Sequence, residues 1–173
     1  VGRLSPQKGH DVLVPAIPHI VAAHPGVHFL WAGDGPAENQ LRQQLETYQC
    51  AEHVTFLGER DDIPALLQAA DLFVHPARHE GQPFSLLEAM AAGLPIVSTT
   101  ASGITEVLEN NVHALLCRPD DSGALRDTLL NALNDRARGI MLAEAARKRV
   151  GAFSEEAMVA QTLEALESLV ERS

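Results

Sequence analysis

The sequence predicts an α/β fold: a doubly wound, Rossmann-like parallel sheet followed by an all-helical C-terminal segment. Three observations point there. Short apolar runs rich in β-branched residues alternate with longer stretches of helical period, as in buried parallel strands joined by crossover helices. The strand ends carry glycine or proline, as in Ala32-Gly33-Asp34-Gly35-Pro36, Leu57-Gly58 and His75-Pro76. From Asp121 onward only helical patterns remain.

The elements follow in order. Val1-Gly2-Arg3 reads as the end of a first strand, so the sequence is expected to begin inside an element of a longer protein. Residues 11–24 keep an apolar stripe of helical period through Val12, Leu13, Ala16, Ile17, Ile20 and Val21. Pro15 and Pro18 interrupt it, and an interior proline costs a helix about 3 kcal/mol, so a kinked or late-starting helix is expected. Residues 27–32, 54–57, 72–75, 96–99 and 114–117 read as strands. Residues 37–48, 63–69 and 85–92 read as the helices between them, and 122–134, 136–150 and 154–171 as three helices of the tail. The whole chain, 1–173, is expected to be one domain, with its helical tail over about 122–173.

Composition narrows the function. A formal net charge of −10 makes nucleic acid a poor partner, so an anionic ligand needs a few well-placed cations. The two cysteines, Cys50 and Cys117, show neither metal-ligand spacing nor a disulfide framework, which fits a reducing compartment. No apolar run is long enough to span a bilayer and no signal peptide is visible, so a cytoplasmic location is expected.

Two constellations carry chemistry. Gly2-Arg3-Leu4-Ser5-Pro6-Gln7-Lys8-Gly9 is a polar loop between a strand end and a helix start, with Arg3 and Lys8 as its cations. Free N–H groups and the helix dipole favour anions there, so the loop reads either as a diphosphate clamp or as two solvated charges. His79-Glu80-Gly81-Gln82-Pro83-Phe84-Ser85-Leu86-Leu87-Glu88 places two carboxylates at the carboxyl edge of the sheet, where ligands of such folds bind. Each could accept hydrogen bonds from a sugar diol, with helix N–H groups between them for phosphate. Ser85 and Glu88 also spell a capping box, which explains Glu88 without a ligand but leaves Glu80 unexplained. Asp61-Asp62 and Asp120-Asp121 read as a turn and a cap. The eight histidines have no metal-ligand spacing, and no metal site is expected.

Together these motifs resemble the C-terminal, donor-binding domain of the retaining glycosyltransferases of GT-B architecture, family 4 (glycosyl transferases group 1). The resemblance rests on Val1-Gly2-Arg3-Leu4 with Lys8-Gly9, on Ala32 to Pro36, on Val54-Thr55-Phe56-Leu57-Gly58, on Glu80-Gly81 through Glu88-Ala89-Met90-Ala91, and on Gly93-Leu94-Pro95-Ile96-Val97. Their order and spacing are specific, and they span nearly the whole chain. The chain departs from the family at Ser102-Gly103, where two glycines are usual, at 111–114, and at Glu155.

The resemblance implies a role for each matched residue. Arg3, Lys8 and Glu80 would be the catalytic set, the first two neutralising the donor diphosphate and Glu80 holding sugar hydroxyls. Main chain around Phe84, Ser85 and Leu86 would contact sugar and phosphate, with Gly2, Gly33 and Gly81 in the donor-lining loops. Glu88 would hold the ribose diol. Leu57 and Gly58, with Arg60 nearby, would edge the base. It further implies a UDP-, GDP- or ADP-sugar donor, no metal or other cofactor, and a separate N-terminal domain that binds an acceptor, glycan or lipid. The full-length protein would then work in the cytoplasm or at the inner face of a membrane, and the chain alone would transfer little or nothing and could self-associate. A sugar-nucleotide-binding module without catalysis and a related enzyme such as a sugar-nucleotide epimerase are the alternatives.

Overall fold

A computed structural model describes residues 1–170. It is α/β as expected, with helices on both faces of parallel strands. The stretch at 11–24 resolves the proline conflict by dividing. Helix α1 (His10–Leu13) gives way to a 3₁₀ turn (Val14–Ala16) and then α2 (Ile17–Ala23). Pro15 and Pro18 each fall in the first turn of their segment, where a missing N–H costs no helical bond.

The rest follows the expected rhythm: β1 (Phe29–Ala32), α3 (Glu38–Thr47), β2 (Val54–Gly58), α4 (Ile63–Ala69), β3 (Phe73–His75), α5 (Phe84–Ala92), β4 (Ile96–Thr99), α6 (Ile104–Val107), β5 (Leu115–Cys117), α7 (Ser122–Asn134), α8 (Arg136–Arg149) and α9 (Glu155–Val170). The short α6 is not among the helices that the sequence predicts. The final residue of the predicted last helix, Glu171, lies outside the described residues. Asp121 caps α7, accepting the Ala124 N–H at 2.8 Å, and Asp135 caps α8, accepting the Arg138 N–H at 3.0 Å.

The strands form two parallel sheets, β1–β2 and β3–β4–β5. The strand expected to end at Val1-Gly2-Arg3 is not present as a strand. That segment makes one ladder-like bond, from the Gly2 N–H to the Ala32 carbonyl at 2.9 Å. Between β1 and β3 lies an apolar slot of about 360 Å³ whose lining includes Val1, Trp31 and Phe73.

Two apolar cores cover the faces. Leu4, Ile17, Ile20, Leu41, Leu45, Val97, Leu125 and Leu129 pack on one side, under α1–α3 and α7. Leu67, Phe73, Leu86, Met90, Ile96, Ile104 and Ala146 pack on the other, under α4–α6 and α8. A fully buried leucine of this kind stabilises the fold by about 1.5–3 kcal/mol. The outcome is a rigid platform that presents its loops at the carboxyl ends of the strands.

Candidate active site

Glycines let those loops approach one another. A Cβ on Gly9 would stand 2.0 Å from the Pro76 carbonyl oxygen, and one on Gly33 would stand 2.1 Å from that of Gly2. Both have positive φ, +68° and +126°, so side chains are excluded twice over. The 2–9 loop is thereby wedged between the loop after β1 and the loop after β3. Side chains and main chain pin it further. The Arg78 N–H donates to the Gln7 carbonyl at 2.9 Å, and Gln7 Nε2 donates to the His79 carbonyl at 3.2 Å. The Arg78 guanidinium bonds both oxygens of Asp11 at 2.8 Å, Asp120 at 2.6 Å and the Pro6 carbonyl.

The anchored loop delivers Lys8 to Glu80. Its Nζ donates to Glu80 Oε1 at 2.6 Å. His75, the last residue of β3, brings Nε2 to 2.9 Å from the same oxygen. That ring N–H is not aligned on the contact and Nε2 is otherwise buried without a partner, so the pair is a close polar contact and Lys8 is the aligned donor. Burial pushes the Glu80 carboxyl up, but the His75 and Lys8 contacts together outweigh it and hold the group below its ordinary range. Burial also holds the His75 ring below the usual histidine range, against the upward pull of Glu80. No hydrogen bond among the described residues falls on Glu80 Oε2, which leaves one carboxylate oxygen for a ligand.

Helix α5 starts shortly after Glu80, two residues earlier than a capping box requires. Pro83 is its N-cap, without a side-chain bond. The Leu86 and Leu87 N–H groups both go to the Pro83 carbonyl, and the Phe84 N–H goes to the Gln82 carbonyl. Ser85 is therefore inside the helix and does not cap it, and Glu88 is not drawn back to it. Of the three main-chain donors expected here, Phe84 and Leu86 are engaged, whereas the Ser85 N–H has no main-chain acceptor among the described residues. The Leu86 side chain is fully buried in the core, so that residue supports the site from beneath. Gly81 is exposed, with open space where a Cβ would lie.

Gly2, Arg3, Gly33 and Arg60 line an open cleft of about 730 Å³, together with Asp34. Arg60 is not a free cation: it pairs with Asp62 at 2.8 and 2.6 Å. Gly33 donates to the Gly58 carbonyl at 2.7 Å, which ties the loops after β1 and β2 together; neither Leu57 nor Gly58 lines the cleft, and Leu57 lines the slot between β1 and β3 instead. The cleft and the Lys8–Glu80 cluster are contiguous, since a Cβ on Gly2 would come 3.6 Å from Lys8 Cε. Glu88 is an exposed residue of α5. His75 is the site residue that sequence reasoning left unassigned. Its signal was a lone imidazole closing the apolar run Leu72-Phe73-Val74.

Known proteins share this sequence and shape. Residues 1–135 match the family described as glycosyl transferases group 1. The gpi3 subunit of phosphatidylinositol N-acetylglucosaminyltransferase from Schizosaccharomyces pombe is 35% identical over 137 residues, covering 78% of this chain and 30% of that protein. A GDP-mannose-dependent alpha-(1-6)-phosphatidylinositol monomannoside mannosyltransferase of Mycobacterium tuberculosis is 33% identical over 161 residues, covering 88% of this chain and 42% of that protein. The crystal structure of HepE from Anabaena in complex with UDP superposes with a TM-score of 0.87 at 30% identity, covering 96% of this chain and 47% of that one. The chain thus spans between 30% and 47% of the length of these relatives. Matched over most of its length by the family and by relatives of this identity, the chain belongs to the group 1 glycosyl transferases.

Proposed function

We propose that this chain is the donor half of a glycosyltransferase that binds a nucleoside-diphosphate sugar and, with an acceptor-binding domain, transfers the sugar with retention and without a metal ion. The observation that carries the reading is the Lys8–Glu80 pair set beside the unsatisfied Ser85 N–H at the start of α5. A cation, a carboxylate with one open oxygen and a helix N-terminus are the groups that a sugar diphosphate needs side by side.

In transfer, the bond between the anomeric carbon and the diphosphate oxygen breaks. Negative charge grows on the phosphates and positive character on the carbon. Lys8, Arg3 and the Ser85 N–H would hold the departing phosphates more tightly as that charge grows, which stabilises the transition state selectively. Glu80 Oε2 would accept sugar hydroxyls and Glu88 the ribose diol. Gly2, Gly33 and Gly81 would let the main chain approach the donor. The base would rest at the cleft near Leu57, Gly58 and Arg60. Retention would follow if the acceptor approaches the face that the phosphate leaves. The named donors of relatives include UDP-glucose and GDP-mannose, so family membership alone does not choose the base. We place the reaction in the cytoplasm, with a lipid or glycan acceptor held by the other domain. No helix among the described residues is long and apolar enough to cross a membrane.

Calorimetric titration with UDP, GDP and ADP tests the reading, repeated on Lys8→Ala and Glu88→Ala. One diphosphate should bind, and each variant should weaken it at least about tenfold, the loss of one charge-assisted contact. Unchanged affinity in both variants would place the ligand elsewhere.

A further inference from the structure

We propose that His75 is a positioning residue for Glu80: it shares Oε1 of that carboxylate with Lys8 and remains its partner when Lys8 turns toward a bound diphosphate. The inference rests on the donor-site reading above and deepens it.

The geometry sets two nitrogens against one oxygen, Lys8 Nζ as an aligned donor at 2.6 Å and His75 Nε2 at 2.9 Å, close but not aligned. They differ in freedom. The Lys8 side chain is 20% exposed and ends a flexible stem, whereas the His75 side chain is 4% exposed. The ring cannot follow a ligand. The His75 carbonyl accepts the Ser98 hydroxyl at 2.9 Å, and the imidazole stacks on Phe73, with centroids 6.1 Å apart and planes 14° from parallel. Its Nε2 has no other partner among the described residues, so a small ring rotation toward Oε1 breaks no bond.

The hand-over follows from these constraints. The Glu80 side chain is only 4% exposed, and a carboxylate so buried must keep a donor to remain ionised. A diphosphate competes with it for Lys8. A neutral imidazole that donates Nε2–H keeps Oε1 satisfied and leaves Oε2 ionised for a sugar hydroxyl. The charged and titratable groups that act on the pair are Lys8 and, through His75, His10.

Carbon-13 NMR of glutamate carboxyls in the full 173-residue chain tests this, with Glu80 assigned by the signal lost in Glu80→Gln. The titration midpoint is read in wild type, Lys8→Met, His75→Leu, His75→Gln and Lys8→Met/His75→Leu. Each is read free and with the tightest of UDP, GDP and ADP. In Lys8→Met, His75 alone should hold the midpoint near the wild-type value, and the double variant should raise it by about one pH unit or more. With diphosphate bound, His75→Leu should match the double variant and His75→Gln, which keeps a donor at that reach, should match wild type. The inference is overturned if Lys8→Met raises the midpoint as far as the double variant, or if His75→Leu and wild type agree with diphosphate bound. Failure of all three diphosphates to bind wild type overturns the donor-site reading and the hand-over with it, and the free-state comparison then reports separately whether His75 holds Glu80.

Discussion

Gly103 stands directly against the main chain of Glu80: a Cβ at Gly103 would lie 2.1 Å from the Glu80 carbonyl oxygen. The Glu80 N–H donates to the neighbouring Ser102 carbonyl at 3.0 Å, so the loop after β4 fixes the peptide that carries the carboxylate. Gly103 holds φ at +80°, which an alanine adopts only under strain.

Gly103→Ala should therefore lower stability by about 1–3 kcal/mol and weaken sugar-nucleotide binding as Glu80 shifts. Gly81→Ala is the control, because that glycine meets nothing within 4 Å and has no positive φ. Its urea midpoint should match wild type. Equal midpoints for Gly103→Ala and Gly81→Ala would show that the loop after β4 does not constrain Glu80.

Arg78 is the fastener of the 2–9 loop. Removing it leaves Asp11, itself partly buried, without the guanidinium that holds its carboxyl below the usual range. Arg78→Leu should cost about 2 kcal/mol of stability, discounted for the partial exposure of the pair. Lys8 then loses its fixed approach to Glu80, so diphosphate affinity should fall as well. Denaturant unfolding and calorimetry on the same variant check the two effects together.

Stability should fall as the solution is acidified. Burial above all, and His75 with it, push the His10 ring down to about 3, and its buried Nδ1 has no partner among the described residues. His75 is lowered in the same direction. The unfolded chain protonates these rings near 6.5 and the fold resists, so unfolding is favoured as pH drops from about 6.5 toward 3. Each ring contributes at most about 1.4 kcal/mol per pH unit across its window. His10→Phe should flatten the slope of urea-unfolding free energy over that range, and an unchanged slope would contradict the burial argument.

The elements and the candidate carboxylates were legible in the sequence because both rest on local pattern. Pro15 and Pro18 announced a broken helix, and the structure divides it at those residues. Asp121 reads as a cap and is one. The capping box at Ser85 misled, because the Pro83 carbonyl takes the Leu86 and Leu87 N–H groups and the helix starts two residues early. What stayed hidden depends on long-range proximity. Arg78 meets Asp11 and Asp120 across 67 and 42 residues, and Lys8 meets Glu80 across 72.

The central claim is that one continuous site runs from the 2–9 loop across Glu80 to the start of α5. Amide chemical-shift mapping of the chain, titrated with whichever of UDP, GDP and ADP binds, tests it most directly. The account predicts the largest shifts at Gly2, Arg3, Lys8, Gly33, Gly81 and Ser85, with smaller ones at Leu57 and Gly58. Shifts confined to the helical tail, or to the slot between β1 and β3, would contradict it.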